Sequence, residues 1–504
     1  MAEQYSDILI IGTDLAGLIT GAFLAKRGLA VTVLNLDRDV SLQKKNIQPN
    51  LITHLESRLF KSILGRLSIT DHELNIVSRL EIPYQTVMPK HRIDVFRDRE
   101  RLFRELKREF PQDFESIKAF YEAMDHFDAT LDAEALQELI LPQGLRKRWR
   151  FKKFVQQTGL SQRVSDYVAR LGADGEVRAF LEGQLKMLSQ THSENPFTYQ
   201  IAKALSNENC VLFEVKGGIG HLKKLFLDKI ESFGGRVKNE AAIERVQFEK
   251  RRVKGVQLGG FDGMIGCRYL LWNDEVRGLK NYLPRNFWTR RLLKRIDGIK
   301  PRFYHFSIQY RLDPKVIPMG MRENLLFIGD PEAELTGPNF LHLNIYQPAQ
   351  DDPQGLAYLT VSYLLAADQL DLPADGFQAL HDKITQTLKK LMPFSDGRLQ
   401  LHFPIENKET EESGLLFPTE KSDFETFREN AAANPIHAVA PRDFGELFPL
   451  HHRTAYKNLL LTSPEILAAL GFEGKFLLGL KTIDVIWNEV EAGKKKAIKQ
   501  RKVE

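Results

Sequence analysis

The first part of the chain alternates short apolar runs with a longer amphipathic stretch. Residues 8–11 form an apolar run, and residues 15–25, after a turn that begins at Gly12, carry apolar side chains at spacings of three and four. A break at Gly28 precedes a second apolar run over residues 31–36. Short apolar runs predict buried strands, and the three-to-four spacing predicts a helix. The order of the three elements predicts a βαβ unit and therefore a parallel sheet.

The pattern changes twice further along the chain. Residues 70–200 are helical in period and heavily charged, and a Gly-rich turn, a helix and strands return from residue 213. Four β-rich runs separated by Pro, Gly and Asp then predict a mostly antiparallel sheet, followed by an amphipathic helix. The runs are residues 302–312, 324–328, 340–346 and 357–363.

A chain of 504 residues is too long for a single hydrophobic core, so we predict an α/β protein of two domains. The first is a Rossmann-like dinucleotide-binding domain with a parallel sheet. It is discontinuous and is built from residues 1–70, 210–290 and 430–504. The second is a substrate-type domain with a mostly antiparallel sheet and helices, built from residues 71–209 and 291–429.

Charge and cysteine content exclude several classes of protein. The net charge of +5 is spread over 137 charged side chains (71 Lys and Arg, 66 Asp and Glu), so nucleic acid is not an expected partner. Cys210 and Cys267 lie far apart without metal-ligand spacing, which argues against disulfides and against a zinc site. The N-terminal apolar run is too short for a signal peptide, and no stretch is apolar enough to cross a bilayer. We therefore expect a cytoplasmic protein that would meet a membrane only peripherally, at its inner face.

Six cations are concentrated in one short segment, where they surround Trp149 and Phe151. They are Arg146, Lys147, Arg148, Arg150, Lys152 and Lys153. Three interpretations stay open: a solvated helix face, attachment to an anionic membrane surface, and a contact with a protein or a nucleic acid.

No side chain of the sequence is assigned a catalytic role. His451 and His452 are adjacent, and neighbouring residues on a strand point to opposite faces, so we predict a structural or surface role and no metal site. The chain has no Gly-x-Ser-x-Gly elbow, no Walker loop and no His-Glu-x-x-His pattern. Hydrolase and kinase functions therefore have no motif in this sequence.

Four separated blocks resemble, in order, those of the FAD-dependent phytoene desaturase and amine oxidase group, whose fold is shared with Rab GDP-dissociation inhibitors. In the first block, Gly12 and Gly17 match the outer glycines of the dinucleotide motif, and Asn35 matches the acid that binds the adenosine ribose. The second block, "VKGGIGHLKKLFLDKIESFGGRVKNEAAIERV", places Val246 where the backbone contacts adenine.

The third block, "GVQLGGFDGMIGCRYLLWND", is similar to a hairpin and returning strand, and it ends at Asn273 and Asp274. In the fourth, Gly471, Gly474 and Gly479 keep the spacing of the loop that contacts the flavin. Four blocks in order are stronger evidence for the fold than a lone glycine motif. The resemblance implies FAD as cofactor and an apolar, isoprenoid-like ligand.

The cofactor motifs are nevertheless altered at four places. Asp14 replaces the glycine that lets the backbone approach the pyrophosphate, and Asn35 replaces the ribose acid, although Asp37 lies on the same face. Residues 37–50 lack the Gly-Gly-Arg or Gly-Gly-Lys that follows the ribose acid in the family. Apolar residues, Ala468–Leu470, stand where a Pro-Gly is usual, and we interpret them as core packing. We expect Asp14 to cap its own helix and to fill the space of a phosphate.

Two functional hypotheses follow. The first is a phytoene desaturase-like protein with an eroded FAD site, which acts as a non-catalytic binding or scaffold protein for an apolar ligand or a protein partner. The second is a working FAD-dependent oxidoreductase that acts on an apolar, isoprenoid-like substrate at a membrane surface. Because a fold does not determine a function, the residues of the site have to decide between them.

Overall fold

The computed structural model describes most of the chain, with gaps. The described residues are 4–36, 51–54, 58–74, 77–130, 139–142, 144–158, 168, 170, 175–189, 202, 205–206, 212–215, 218–239, 241–260, 263–346, 355–403, 435–438 and 450–501.

These residues form eighteen strands. They are β1 (Gln4–Ile11), β2 (Val31–Leu34), β3 (Leu51–His54), β4 (Val77–Arg79), β5 (Tyr84–Val87), β6 (Arg92–Val95), β7 (Leu212–Val215), β8 (Arg236–Lys238), β9 (Ile243–Glu249), β10 (Arg252–Leu258), β11 (Met264–Trp272), β12 (Lys300–Leu312), β13 (Asn324–Ile328), β14 (Phe340–Tyr346), β15 (Ala357–Ala366), β16 (Leu399–Phe403), β17 (Pro435–Ala438) and β18 (Leu459–Leu461).

The same residues form eleven α-helices. They are α1 (Leu15–Lys26), α2 (Arg58–Arg66), α3 (Arg99–Glu109), α4 (Phe114–Thr130), α5 (Leu145–Gln157), α6 (Gly175–Ser189), α7 (Gly218–Ser232), α8 (Val276–Leu279), α9 (Phe287–Asp297), α10 (Ala374–Leu391) and α11 (Gly471–Arg501).

The first sheet has seven strands and is mostly parallel. Its order is β8-β2-β1-β11-β10-β9, and β18 pairs with β11. The pairs β8–β2, β2–β1, β1–β11 and β11–β18 are parallel, whereas β9, β10 and β11 form an antiparallel meander. Residues 8–11 of β1 are fully buried, because helices and strands cover both faces of a parallel sheet.

The second sheet has eight strands and is mostly antiparallel. Its order is β16-β12-β15-β14-β13-β5-β6, and β17 pairs with β12. Helix α10 covers one face of this sheet, where Phe377, Ile384 and Leu388 pack into the same cluster as Ile308 and Val361. A short third sheet joins β3, β7 and β4. The predicted fold class, α/β with one mostly parallel and one mostly antiparallel sheet, is confirmed.

Helix α1 lies between the first sheet and helix α11. Apart from Lys26, its residues are buried on every side, and Gly479 of α11 packs directly on it. A Cβ atom at Gly479 would lie 3.0 Å from the carbonyl oxygen of Ala16, and the hydroxyl of Thr20 donates to the carbonyl of Gly479 at 3.1 Å. The glycine therefore sets how closely the two helices approach.

The first core also takes in side chains from the middle of the chain. Phe151 and Val155 of α5 are buried in the same cluster as β1 and α1, as is Ile296 of α9. The first core thus takes in side chains from segments assigned to the second domain, and the domain boundaries given above stay a prediction.

Candidate functional site

The candidate site lies at the carboxyl ends of β1 and β11, where ligands bind in sheets of this kind. The turn after β1 runs from Gly12 to Asp14, and Asn273 directly follows β11. The buried amide of Asn273 is inserted into this turn. Its Oδ1 accepts from the Gly17 N–H at 2.8 Å, and its Nδ2 donates to the carbonyls of Gly12 (3.1 Å) and Asp14 (2.8 Å). The path of the turn is therefore fixed by protein contacts.

The two outer glycines are required by this same asparagine. Gly12 has a φ of +95°, which favours glycine, and a Cβ atom there would lie 2.7 Å from the carbonyl oxygen of Asn273. A Cβ atom at Gly17 would overlap the Asn273 amide. The N–H of Asp14 also points at Asn273 and donates to its carbonyl at 3.3 Å. Close packing against Asn273 thus explains Gly12 and Gly17 without a pyrophosphate.

Asp14 forms an ion pair that the sequence did not reveal. It is the N-cap residue of α1 by position, but its carboxylate accepts no hydrogen bond from the helix, so the expectation that it caps the helix is wrong. Instead, its Oδ1 lies 2.6 Å from Nζ of Lys475. The two side chains are only 10% and 17% exposed. Oδ2 of Asp14 is buried and has no hydrogen-bond partner within the described part of the chain.

Lys475 reaches Asp14 from the first turns of α11. The turn over Ala468–Leu470 is a 3-10 helix that leads directly into α11 at Gly471. A Cβ atom at Gly474 would overlap the carbonyl oxygen of Leu467, so this glycine holds the start of α11 against the turn. Leu470 packs against the first core, which agrees with the predicted packing role of this segment.

Asn35 follows β2 and forms hydrogen bonds with the end of β8, the strand at the edge of the sheet, and with the segment after it. Its N–H donates to the carbonyl of Lys238 at 2.8 Å, and its carbonyl accepts from the N–H of Ala241 at 3.0 Å. Its Nδ2 donates to Oδ1 of Asn239 at 3.1 Å. Asn35 therefore links β2 to the segment after β8. Asp37 and residues 38–50, which the sequence also implicated, lie outside the described residues.

Val246 is buried in the middle of β9, opposite Val256 of β10. It belongs to the first core. The contacts to Asn35 given above come from positions 238–241, before β9 begins. The adenine contact predicted for Val246 stays a prediction.

A buried acid, Glu465, also lies at this edge of the sheet. It follows β18, and its Oε1 accepts from the N–H of Val276 at 3.0 Å. Burial, with smaller contributions from the negative charges of Glu275 and Asp274, raises the pKa of Glu465 to about 8. Sequence reasoning missed Glu465 because nothing in its local pattern distinguishes it from a surface acid.

We expect Glu465→Gln to make the protein more stable than the wild type as pH rises. The carboxyl has a pKa near 4.5 when unfolded and about 8 when folded. Between these values the unfolded chain releases a proton that the folded chain keeps, so stability falls by at most about 1.4 kcal/mol per pH unit. A glutamine still accepts from Val276 but does not titrate. Urea unfolding at about pH 5 and about pH 7 should show the variant gaining on the order of 2 kcal/mol relative to wild type; equal pH dependence of the two proteins would contradict the assignment.

One face of the second sheet carries a buried row of polar side chains. Gln309, Thr360, Asn344 and Asn324 stand opposite one another on β12, β15, β14 and β13. Nε2 of Gln309 donates to the hydroxyl of Thr360 at 3.1 Å, and Nδ2 of Asn344 donates to Oδ1 of Asn324. Oε1 of Gln309 and Oδ1 of Asn344 are buried without a hydrogen-bond partner in the residues that the structure describes. The buried part of this face of the sheet is therefore polar.

The two adjacent histidines do not point apart. The rings of His451 and His452 stack with centroids 4.6 Å apart, so the prediction of opposite faces is wrong. The segment is a hairpin partner of β18, because Arg453 bridges to Leu460 outside a regular strand. Burial lowers the pKa of His451 to about 4 and that of His452 well below its usual range. Both rings are therefore neutral at pH 7.

The described residues contain neither a group of side chains that could hold a metal ion nor a helix that could span a membrane. No group of three or more His, Cys, Asp or Glu side chains in this part of the chain could hold a metal ion. No described helix combines the length and the apolar character that crossing a membrane requires.

Comparisons with known proteins agree with this architecture. No protein-family model matches the chain. The chain is similar to 4,4'-diapophytoene desaturase (4,4'-diapolycopene-forming) of Methylomonas sp, with 22% identity over 308 residues, which are 56% of this chain and 58% of that protein. The match thus spans little more than half of the relative's length.

Solved structures of low sequence identity share the fold over nearly the whole chain. An oxidoreductase from Methanosarcina mazei superposes with a TM-score of 0.56 at 13% identity, covering 95% of this chain and 99% of that one. Cyclohexylamine oxidase from Brevibacterium oxydans gives a TM-score of 0.57 at 13% identity, covering 96% and 99%. The ordered blocks, the two sheets and these similarities confirm the resemblance: the chain has the fold of the FAD-dependent desaturase and amine oxidase superfamily.

Proposed function

We propose that this protein is a non-catalytic binding or scaffold protein, in which the place of the FAD pyrophosphate is closed by the protein itself. One observation carries the proposal: Asp14, in the turn after β1, forms an ion pair with Lys475 of α11. In a working dinucleotide site, the pyrophosphate sits at this helix N-terminus and is bound by backbone N–H groups. Here the carboxylate of Asp14 occupies the approach, and its cation is supplied by Lys475.

The hydrogen-bond donors of the turn support the same proposal. The N–H groups of Asp14 and Gly17 both donate hydrogen bonds to Asn273, so they do not point at a ligand. A phosphate within about 5 Å of the Asp14 carboxylate would be repelled by about 3 kcal/mol at an effective dielectric near 20. That penalty corresponds to an affinity lower by a factor of about 100 to 300. The residues present therefore do not fit the pyrophosphate of FAD bound in the usual way.

The surroundings of the turn argue in the same direction. Glu275 and Asp274 add acidic groups at the edge where an anion would sit. Asn35, at the ribose position, already donates to Asn239. Each of these changes alone is compatible with FAD binding. Together they deprive FAD of a charged partner, of space and of hydrogen-bond donors.

The second candidate is an active FAD-dependent oxidoreductase, and the similarity to a diapophytoene desaturase favours it. In such an enzyme the flavin performs the redox chemistry, and the protein positions the substrate.

Purification from a flavin-replete host separates the two candidates. We expect colourless protein without flavin absorbance that also fails to take up added FAD in a fluorescence titration. Flavin bound in a one-to-one ratio after purification would overturn the proposal and support the oxidoreductase. As a control, the same host should yield a yellow preparation of a known flavoprotein of this fold.

A further inference from the structure

Helix α5 presents an apolar stripe to solvent between cations. Leu145 and Trp149 lie one turn apart on the same face and are 84% and 64% exposed. The opposite face, with Phe151 and Val155, is buried in the first core. The helix is therefore anchored to the body of the protein while its outer face carries two large apolar side chains.

The charge of α5 is unusual for its position. All six of its cations are exposed, the helix contains no acid, and this charge alone exceeds the net +5 of the whole chain. Arg146, Lys147 and Arg148 stand in the first turn, where the helix dipole disfavours positive charge, and Gly144 supplies no side-chain cap. A cluster that opposes the dipole does not improve the stability of the helix, which points to an anionic partner outside the chain.

Helix α9 repeats this combination. Phe287, in its first turn, is 82% exposed and packs edge to face on the half-exposed Trp288. Arg290 and Arg291 are exposed beside them. The guanidinium of Arg251 lies over the Trp288 ring at 4.0 Å.

The loop before β18 connects the two helices. At one end, the ring of His451 lies near the charge of Arg148 and donates to the backbone carbonyls of Leu141 and Pro142, which precede α5. At the other end, the hydroxyl of Tyr456 is 3.3 Å from Nδ2 of Asn286, the N-cap residue of α9. Five residues of chain span at most about 18 Å, so the contacts that this loop makes to the starts of α5 and α9 lie close together.

We infer that α5 and α9 together form a binding surface for an anionic lipid bilayer. Cations around exposed aromatic and aliphatic side chains match the headgroup and acyl boundary of such a membrane, where the charges meet phosphates and the apolar side chains insert. Nucleic acid offers phosphates but no apolar layer for Leu145 and Phe287. This inference rests on the surface alone and holds whether or not the protein binds FAD.

Vesicle sedimentation tests the inference with the full chain. We expect binding to vesicles in which roughly a third of the phosphatidylcholine is replaced by phosphatidylglycerol, and little binding to phosphatidylcholine alone. Raising the salt from about 0.1 M to about 1 M should weaken the binding, because the screening length falls from about 10 Å to about 3 Å. Equal binding to both vesicle types, or none to either, would overturn the inference.

Two variants test the two helices separately. Arg146→Glu with Arg150→Glu should weaken binding to the anionic vesicles at least about 30-fold. Phe287→Ser should weaken it about tenfold through lost insertion. If Phe287→Ser binds like wild type, α9 is not part of the surface and the inference as stated is wrong.

Matched controls come from the second domain. Phe394 is 73% exposed and lies outside both helices, so Phe394→Ser should bind vesicles like wild type. Lys383→Glu with Lys390→Glu reverses two exposed cations of α10 and should have a much smaller effect than reversal on α5. Circular dichroism of every variant should match wild type, since all of these side chains are exposed. If the control variants lose vesicle binding as strongly as the test variants, the loss follows from overall charge and not from α5 and α9. That result would overturn the inference.

Discussion

Replacing Lys475 by methionine is expected to lower the free energy of unfolding by about 3 kcal/mol. The variant keeps the length of the side chain but leaves the carboxylate of Asp14 without its cation in a nearly buried position. Removing one partner of a buried ion pair costs roughly 3 to 5 kcal/mol, and the partial exposure of this pair places the estimate at the lower end. Chemical denaturation of the wild type and the variant at neutral pH measures the difference.

Two controls separate this effect from general damage to α11. Asp14→Gly in the Lys475→Met background should recover most of the lost stability, because it removes the unpaired charge. Lys224→Met breaks an ion pair with Asp228 at 3.0 Å in which both side chains are more than half exposed, and it should cost less than about 1 kcal/mol. Equal losses for Lys475→Met and Lys224→Met would mean that the Asp14 pair is no more important than a surface pair.

Asp14→Gly combined with Asn35→Glu is expected to raise the affinity for FAD by a factor of about 100. The first change removes the carboxylate that repels a phosphate by about 3 kcal/mol and frees Lys475 for the ligand. The second restores an acid at the ribose position, where a charged acceptor forms the stronger hydrogen bond. Quenching of FAD fluorescence during titration with protein measures the affinity.

The single variants show which change matters. Asp14→Gly alone should give most of the gain, and Asn35→Glu alone should give little, because the repulsion at Asp14 would persist. If the double variant binds FAD no better than wild type, the obstruction lies elsewhere, and the turn over Ala468–Leu470 is the next place to change.

The strands could be predicted because β-rich runs, bounded by Pro, Gly and Asp, mark them along the sequence. The runs at residues 302–312 and 340–346 correspond to β12 and β14 almost residue for residue. The apolar run over residues 31–36 ended two residues later than β2, because Asn35 and Leu36 leave the sheet where Asn35 turns towards Asn239. Sequence periodicity thus predicts which helices and strands are present better than it predicts the residue at which each one ends.

The candidate site was only half predictable. Glycine spacing placed Gly12, Gly17 and Gly474 at close contacts, since only glycine fits where backbones approach. The partner of Asp14 could not be found in this way, because Lys475 is separated from it by 461 positions and no local pattern links them. The sequence does not predict the stacking of His451 on His452. Side chains alternate between two faces only within a regular strand, and these residues lie outside one.

The packing of α1 against α11 also affects how the protein is synthesised. Helix α1 is apolar on nearly every side, yet one of the helices that cover it, α11, begins only at Gly471. At about 5 to 20 residues per second, α1 waits for roughly half a minute to a minute and a half before α11 emerges. During that time its outer face has no native cover, so the nascent chain needs either a chaperone or a temporary non-native cover. Translation stopped before Gly471 would therefore leave a product that aggregates, even though its first βαβ unit is complete.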